Sequence, residues 1–342
     1  MMNEISPWLE SQKEKPIVMS SRIRLARNIE GIPFPHMLEN QTTLLETAET
    51  IHDLFDDFNE VNMKSAPILE KALMVEKFLI SPRFVKEGVR LILSEDESAS
   101  IMIGEEDHIR IQVMNIGESL QSLYKRASDI DDKIEKKLPY AFDTKYGYKT
   151  ACPTNVGTGL RASVMLHLPA LTKNRRIKRI IDALTRMGYT LRGIYGEGSA
   201  PLGEIYQLSN QVTLGVDELT LIENLEDIKN QIVNEEEKTR LWFYHNRALT
   251  VRDSVFRSFG LLKYAEKMSL EEAAGHLSNM KYGVDMEMLQ IEGFQFQKWM
   301  KSIQHAFIRK RIEEKEIKYN SLEEADNRER ASLLKELLGG NE

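Results

Sequence analysis

Hydrophobic positions along this chain repeat with two different periods, and the two periods predict helices and strands in turn. Helical spacing covers residues 44–58 and 67–79, and the second of these segments ends near Ser81-Pro82. Three short runs rich in β-branched residues then predict consecutive strands, at 89–94, 98–103 and 108–114. Short connections favour antiparallel neighbours, because parallel strands need a long crossover.

The middle of the chain continues this mixture. A helix is predicted from Leu120 to Leu138, a loop or strand end over 146–159, a short apolar helix from Leu160, and another helix whose inner face runs from Ile177 to Met187. Three more strands are predicted at 189–195, 204–208 and 211–214. A long helix follows, with apolar positions from Leu219 to Ile232.

Beyond Arg247 the pattern is helical throughout. Apolar spacing recurs over 255–268, 270–278 and 285–310, and a charged tail from 311 ends in a helix near 329–338. We therefore predict an α+β fold in which an antiparallel sheet flanked by helices precedes a smaller, all-helical C-terminal domain. The boundary is placed near 245–255, which gives domains of 1–250 and 251–342.

Composition narrows the class of protein. The chain has 342 residues and a formal net charge of −7, so nonspecific nucleic-acid binding is not favoured. Cys152 is its only cysteine, which excludes an intramolecular disulfide. No uninterrupted apolar run approaches the length of a membrane span, and the N-terminus lacks an apolar signal core. We expect a cytoplasmic protein.

Five arginines lie within short, distinctive segments. Arg22 and Arg24 belong to SSRIRLAR, Arg110 to EEDHIRI, Arg161 to CPTNVGTGLRAS and Arg192 to RGIYGEGS. Arginines repel one another, so gathering them is useful only around a strongly anionic ligand. Their planar forks bind phosphate in pairs of hydrogen bonds, which points to a polyphosphate such as ATP. The alternative is five unrelated surface arginines, the usual fate of this residue.

Taken together and in this order, these segments resemble the phosphagen kinases, the ATP:guanidino phosphotransferases, over residues 16–215. The longer stretches SSRIRLARN, EEDHIRIQ, CPTNVGTGLRASVMLHLPAL and RGIYGEGS resemble the bacterial protein arginine kinases of that family. The resemblance implies a glutamine synthetase-like catalytic domain that transfers the γ-phosphoryl group of ATP to arginine side chains of proteins. It implies Mg²⁺ held mainly through the phosphates, with no metal ligand from the protein.

The resemblance also assigns the nucleotide site. The residues that it implies for ATP binding are Ser20, Ser21, Arg22, Ile23, Arg24, Arg110, Arg161, Ala162, Ser163, Val164, Met165, Arg192, Gly193, Ile194, Tyr195, Gly196 and Glu197. Arg22 and Arg24 face the same way on an extended segment, because side chains alternate along a strand. Arg161 is expected near the start of a helix, where free N–H groups favour anions.

Three residues are implied for the acceptor. Glu106 and Glu197 occupy the family's carboxylate positions, where a carboxylate pair can orient a guanidinium and remove its proton. Cys152 stands at the family's reactive cysteine. The alternative roles are an ordinary acid at a strand turn for Glu106, a small buried hydrophobe for Cys152, and a structural residue for His108.

Three departures from the family pattern affect this interpretation. Gly104 replaces an Asn before the two acids, and Phe78 replaces a His that lies near the adenine in relatives. Related protein arginine kinases carry an R-D-x-x-R-A motif that binds phosphoarginine. Within DNRERA (326–331) only Arg330 and Ala331 match it.

The implied partners are proteins with exposed arginines, an McsA-type activator, a CtsR-type heat-shock repressor, a Clp-type chaperone–protease and a second copy of the chain as a homodimer. Direct nucleic-acid or membrane partners are not expected. Phosphorylation would mark proteins for degradation. We expect no counterpart, before Ser20, of the small helical domain that precedes the catalytic part of typical phosphagen kinases.

Three other functions compete with this interpretation. One is a kinase for a free guanidino metabolite such as arginine, and another is an inactive adaptor that keeps the kinase fold. The third is dinucleotide binding, because GTGLRA (157–162) fits G-x-G-x-x-A. That match is weak, since it does not follow a hydrophobic strand.

Overall fold

The centre of the protein is one antiparallel sheet of eight strands, as seen in a computed structural model that describes residues 5–10, 14–193, 201–315 and 321–339. Its strands are β1 Val18–Arg27, β2 Phe58–Asn62, β3 Arg90–Ser94, β4 Ala99–Ile103, β5 Ile109–Asn115, β8 Leu160–His167, β9 Tyr189–Gly193 and β10 Ile205–Asn210. Their order is β2-β3-β4-β5-β1-β8-β10-β9. A separate hairpin pairs β6 Phe142–Asp143 with β7 Gly147–Tyr148. The predicted antiparallel pairing is confirmed.

The helices that accompany this sheet are α1 Thr42–His52, α2 Ile68–Glu76, α3 Phe84–Glu87, α4 Leu120–Glu135, α5 Pro169–Lys173, α6 Ile177–Arg186 and α7 Glu218–Asn246. Most of them cover one face of the sheet and enclose the main core, whereas α2 and α3 pack against the other face, at β3, β4 and β5. Ser119 and Asp217 cap α4 and α7, accepting hydrogen bonds from backbone N–H groups three residues on. Apolar side chains such as Ile23, Leu25 and Val164 point from the strands into this core.

The C-terminal region is helical, as predicted. It contains α8 Ala248–Tyr264, α9 Leu270–Asp285, α10 Phe296–Ser302, α11 His305–Lys315 and α12 Leu322–Leu337. These helices share a second core, to which the sheet contributes Met19 and Ile205. The α+β expectation with a helical C-terminal region is therefore confirmed. Among the described residues, none of the helices has the length and apolar character needed to cross a bilayer.

Three local predictions were wrong. Residues from Leu160 form β8 rather than a helix, because polar Arg161 and Ser163 alternate with buried Ala162 and Val164. Arg161 therefore lies on a strand and not at a helix N-terminus. Residues 211–214, predicted as a strand, instead brace the loop before β8, where Thr158 N donates to Thr213 O at 2.9 Å.

Helix boundaries also differ from the pattern. The helix predicted over 44–58 ends at His52, because Asp53, Asp56 and Asp57 have low helix propensity, and β2 begins at Phe58. The helix predicted over 285–310 is two helices, α10 and α11. The chain before α10 turns at Gly293, whose φ of +69° favours glycine.

Candidate active site

The register of the central strands brings the five predicted arginines, including Arg22 two residues before Arg24, onto one face of the sheet. Arg24 on β1 pairs directly with Arg161 on β8, and Arg110 on β5 pairs with Ala26. Arg192 on β9 lies opposite Gln207 on β10. Residues that pair across antiparallel strands project to the same side. The arginines of different segments therefore share the face opposite the helical core.

These guanidinium groups repel one another. Burial, followed by the charges of Arg161, Arg110 and Arg192, lowers the pKa of Arg22 to about 10. Burial and the neighbouring arginines hold the pKa of Arg24 well below its usual value. Within the described parts of the chain, Arg24 Nε is buried without a hydrogen-bond partner. An anion at this face would relieve both costs.

Neutral polar side chains contact two of the arginines. Arg22 Nη2 donates to Gln207 Oε1 at 2.8 Å, and Arg22 Nε donates to Ser163 Oγ at 3.3 Å. Arg161 Nη2 donates to Ser209 Oγ at 3.5 Å. Amide and hydroxyl oxygens therefore help to fix the direction of the Arg22 and Arg161 guanidinium groups.

Two acids stand at the edge of the arginine cluster. Glu105 is buried and forms an ion pair with Arg110, and it also accepts from Ser81 Oγ. Glu106 is more open, and its carboxylate lies 3.3 Å from Arg110 Nη2 and 3.1 Å from Arg83 Nη1. Glu106 therefore lies between Arg110 of the cluster and Arg83, which precedes α3.

Cys152 lies on a loop that buried polar groups hold against this edge. Asp107 Oδ1 accepts from Ala151 N and from Asn28 Nδ2, each at 2.7 Å. Burial raises the pKa of Asp107, although these donors act in the opposite direction. Further along the loop, Gly157 has a φ of +113°, and a Cβ there would lie 2.1 Å from Thr213 O. The loop geometry thus depends on glycine at that position.

One cavity of about 240 Å³ joins these groups. Arg24, Arg110 and Arg161 line it from the sheet, while Glu106 and Cys152 line it from the loops. Asn155 also reaches it, and its Nδ2 donates to Glu106 Oε1 at 3.4 Å. The same cavity therefore contains arginines that could bind an anion, together with a carboxylate and a thiol.

The remaining predicted nucleotide residues divide into three groups. Ser20 and Met165 line a neighbouring cavity, and Ser21 is buried on β1. The side chains of Ile23, Ala162 and Val164 lie in the helical core, so only their backbone can face a ligand. Gly193 ends β9, whereas Ile194, Tyr195, Gly196 and Glu197 lie outside the described residues.

Two residues considered from the sequence, His108 and Arg330, make contacts that stabilise the fold. His108 Nδ1 accepts from Ile29 N at 3.0 Å, and its Nε2 donates to Pro33 O at 2.8 Å. Burial lowers the pKa of His108, so it is a neutral structural histidine. Arg330 is fully buried beside Ala331, and it donates to Ile303 O at 2.8 Å and Met268 O at 2.9 Å. In this arrangement Arg330 links its own helix to the segments that contain Ile303 and Met268.

Several residues around the site were missed by sequence reasoning. Glu105, Asp107, Asn155 and Gln207 each contact a predicted site residue or its loop. Asp107 lies within EEDHIR and Asn155 within CPTN, so the motifs contained that signal. Gln207 carried none, because its role follows from strand pairing across β8 and β10.

Comparisons with known proteins agree with this geometry. The model of the ATP:guanido phosphotransferase C-terminal catalytic domain matches residues 39–239, and that of the protein-arginine kinase McsB C-terminal domain matches residues 248–342. The protein-arginine kinase of Staphylococcus aureus strain USA300 is 44% identical over 317 residues, which cover 92% of this chain and 95% of that protein. The corresponding protein of strain Mu3 is 43% identical over the same length.

Solved structures show the same fold at lower identity. The duplicated taurocyamine kinase from Schistosoma mansoni, with bound transition state analog components, has a TM-score of 0.58 at 24% identity, over 67% of this chain and 34% of that chain. Lombricine kinase has a TM-score of 0.57 at 24% identity, over 66% of this chain and 68% of that chain. By its sequence and its fold, the chain belongs to the ATP:guanido phosphotransferases, in the family of the protein-arginine kinases.

Proposed function

We propose that this protein is a kinase that transfers the γ-phosphoryl group of ATP to arginine side chains of protein substrates. The observation that carries the proposal is the convergence of Arg22, Arg24, Arg110 and Arg161 beside a cavity that also contains Glu106 and Cys152. Phosphoryl transfer needs positioning and charge neutralisation more than covalent chemistry, and this face provides both.

The arginines hold the phosphates in this account. Arg22, Arg24, Arg110, Arg161 and Arg192 bind the triphosphate, with Ser20, Ser21 and Ser163 around them. ATP:guanido phosphotransferases use ATP with Mg²⁺. Among the described residues, no cluster of three or more His, Cys, Asp or Glu has the geometry to hold a metal ion. In this account Mg²⁺ would be held mainly through the phosphates, where it would neutralise charge.

The acceptor guanidinium lies at the carboxylate edge of the cavity. Glu106, with Glu197 as its proposed partner, orients one guanidino nitrogen toward the γ-phosphorus and takes up its proton. The bond from phosphorus to the bridging oxygen of ADP breaks as the bond to nitrogen forms. Cys152, close to Thr154 with Sγ and Oγ1 3.0 Å apart, helps to position the cation.

Protein-arginine kinases act on proteins, and we extend the proposal to the domains, the partners and the regulation of this protein. The catalytic domain comprises residues 1–250, and the helical domain 251–342 binds substrates and partners. The proposed partners are an McsA-type activator, a CtsR-type repressor and a Clp-type protease. The enzyme acts as a homodimer in the cytoplasm. Phosphorylation marks its protein substrates for degradation. Arg330 and Ala331 would contact phosphoarginine only after the helices around Arg330 separate, because Arg330 is enclosed here.

The test uses the purified full chain with Mg-ATP, free arginine and a basic protein in one reaction. Mass spectrometry under conditions that preserve acid-labile P–N bonds identifies the acceptor. Phosphoarginine in the protein, with little free phosphoarginine, is expected. Rapid, saturable labelling of free arginine alone would favour the metabolite kinase. The absence of any phosphoryl transfer, with ATP still bound, would favour the inactive adaptor.

A further inference from the structure

One cavity outside the proposed active site lies at the bend between α7 and α8, where the catalytic part meets the C-terminal helices. Its volume of about 340 Å³ lies within the range of sites that hold a small ligand or a side chain. This junction cavity is lined by Lys173 of α5, Phe243 of α7, Arg247 at the bend, Val251 and Ser254 of α8, and Tyr282 of α9.

The inner wall of the junction cavity is apolar. Val251 and Tyr282 are buried in a small cluster with Ala170, and Phe243 packs against that cluster. Removing an apolar group from water against such a wall is favourable in proportion to the area buried. The wall therefore favours a ligand with an aromatic or aliphatic part over a small inorganic anion.

The charged side chains at the rim of the junction cavity are both cationic. Lys173 Nζ donates to Asn279 Oδ1 at 2.6 Å, and Arg247 is exposed. Neither cation forms an ion pair with another described residue, and no carboxylate lines the cavity. Burial lowers the pKa of Lys173, and the opposing charges of Glu204 and Glu236 do not cancel that effect. An anion at this rim would therefore stabilise both cations.

The positive surface continues along α6. Residues 173–186 contain six cations and one acid, in a chain whose net charge is −7. Ile177, Ile180 and Ile181 pack on the main core, so the opposite side of α6 faces outward. That side and the turn before it form a basic face of exposed cations, Arg175, Arg176, Lys178, Arg179 and Arg186. Among the described residues only Arg176 of this face has an anionic partner, Glu235, at 3.4 Å. Most of the charge is therefore available to a ligand.

The junction cavity and the basic face belong to one continuous surface. Lys173 lines the cavity and lies two residues before Arg175, and Arg176 contacts Glu235 of α7. Phe243 lies eight residues further along that helix, which is about 12 Å at the helical rise of 1.5 Å per residue. An extended peptide covers that distance with about four residues. One short segment can therefore reach both features.

We propose that the junction cavity and the basic face form a docking site for an acidic segment of a partner protein. One aromatic or aliphatic side chain of the segment enters the cavity, and its carboxylates lie on Lys173, Arg247 and the basic face. Charge complementarity directs such an encounter, and a buried apolar anchor holds it. Nucleic acid would use the basic face but would leave the apolar wall of the cavity exposed to water.

This docking site lies apart from the arginine face. Because α6 packs on the main core, it lies on the other side of the sheet from Arg24 and Arg161. A bound partner therefore leaves the proposed nucleotide site open. It contacts helices of both regions, α5 and α7 of the catalytic part and α8 and α9 of the C-terminal region. The inference goes beyond the proposed kinase activity and does not depend on it.

The experiment measures fluorescence anisotropy of a labelled peptide, made of glutamates around one central phenylalanine, with the full chain. The peptide should bind, and added salt should weaken the binding because it screens exposed charges. Replacing the phenylalanine of the peptide by glycine should weaken binding about tenfold, since the apolar anchor is lost. No binding of the phenylalanine peptide, or equal binding of the two peptides, would overturn the inference.

A pair of arginine variants separates the cavity rim from general charge. Arg247→Gln should weaken binding of the phenylalanine peptide about threefold, the scale of a partly exposed ion pair. Arg257→Gln is the matched control, because Arg257 is an exposed arginine of α8 that lies outside the cavity and has no ion pair with another described residue. It should bind as wild type does. Equal weakening in both variants would indicate nonspecific attraction and overturn the inference.

The basic face is tested with the double variant Lys178→Glu/Arg179→Glu. Reversal of two exposed charges should weaken peptide binding at least about tenfold. A single-stranded DNA oligonucleotide that binds more tightly than the peptide, and loses that binding in the double variant, would assign the face to nucleic acid and overturn the inference. None of these measurements requires phosphoryl transfer. A chain that binds the peptide as expected but has no kinase activity would support the docking site and refute only the proposed function.

Discussion

Arg24 and Arg27 lie three residues apart on β1, and their surroundings are opposite. Arg27 faces the helices, where its Nε and Nη2 donate to Asp131 Oδ2 at 2.9 and 2.7 Å. Burial disfavours its charge, but Asp131 and nearby tyrosines outweigh this and raise the pKa of Arg27. Arg24 faces other arginines, and its pKa is lowered. The arginine that fixes the fold has its anion within the protein, whereas the arginine proposed to act in function requires an anion from outside.

The largest expected effect removes the structural arginine. Arg27→Met leaves Asp131 buried without its partner, and breaking such a pair costs about 3–5 kcal/mol of unfolding free energy. Urea denaturation measures the loss, and calorimetry should show normal ATP affinity in the folded fraction. The double variant Arg27→Met/Asp131→Leu should recover much of the stability. A stable Arg27→Met protein that had lost ATP binding would contradict the assignment of Arg27 to the fold rather than to the ligand.

The next effect concerns Glu106 at the edge of the cavity. Glu106→Gln should lower the turnover of peptide phosphorylation by about a hundredfold, the scale of a positioned acid–base group. ATP affinity should stay within about threefold of wild type, since the arginine forks remain. Glu87→Gln is the matched control, because Glu87 also pairs with Arg83 but lies on the surface. Full activity in a folded Glu106→Gln variant would remove Glu106 from the mechanism.

Conservative changes at the cluster should have a smaller effect. Arg110→Lys and Arg161→Lys keep the charge but lose the planar fork, so each should lower turnover at least about tenfold. Arg90→Lys is the control, because Arg90 pairs with Glu60 away from the cavity. Steady-state kinetics with a single arginine peptide measures all three. Near-normal kinetics in both cluster variants would argue against bidentate phosphate contacts.

The smallest expected effect appears in the pH dependence of stability. His167 is fully buried, and its pKa is well below its usual value because of burial and of the charges on Arg240 and Lys281. Below about pH 6.5 the unfolded chain therefore binds a proton that the folded chain does not. The free energy of unfolding should therefore decrease as the pH is lowered below about 6.5, by at most about 1.4 kcal/mol per pH unit.

Replacement of the histidine isolates this contribution. His167→Gln should flatten the stability difference between pH 7 and pH 5, as followed by urea denaturation. The exposed His36 provides the control, and His36→Gln should keep the wild-type slope. An unchanged slope in His167→Gln would show that other groups cause the acid sensitivity.

The sequence predicted the convergence of the arginines better than it predicted the local structure around them. The segments that carry Arg22, Arg24, Arg110 and Arg161 were sufficient to expect a phosphate site, because each contains its own motif. The strand at Leu160–His167 was missed, since an apolar run interrupted by single polar residues also fits a helix.

Contacts between distant segments could not be predicted from patterns. The bond from Arg22 to Gln207 depends on the register of β8 with β1 and β10, and the position of Lys301 over Phe78 depends on how the C-terminal helices pack. Neither of these two contacts produces a periodic pattern in the local sequence. The opposite roles of Arg24 and Arg27 follow from the two-residue period of a strand, once the strand is known.

The central claim is that the arginine face binds a polyphosphate, and Arg24→Met tests it most directly. The measurement is the melting temperature of wild type and variant, each with and without Mg-ATP. Without nucleotide the variant should melt at least as high as wild type, because the change removes a charge that the neighbouring arginines repel. The rise in melting temperature that Mg-ATP gives to wild type should be largely lost. A variant that melts lower than wild type and keeps the full rise with Mg-ATP would contradict the account.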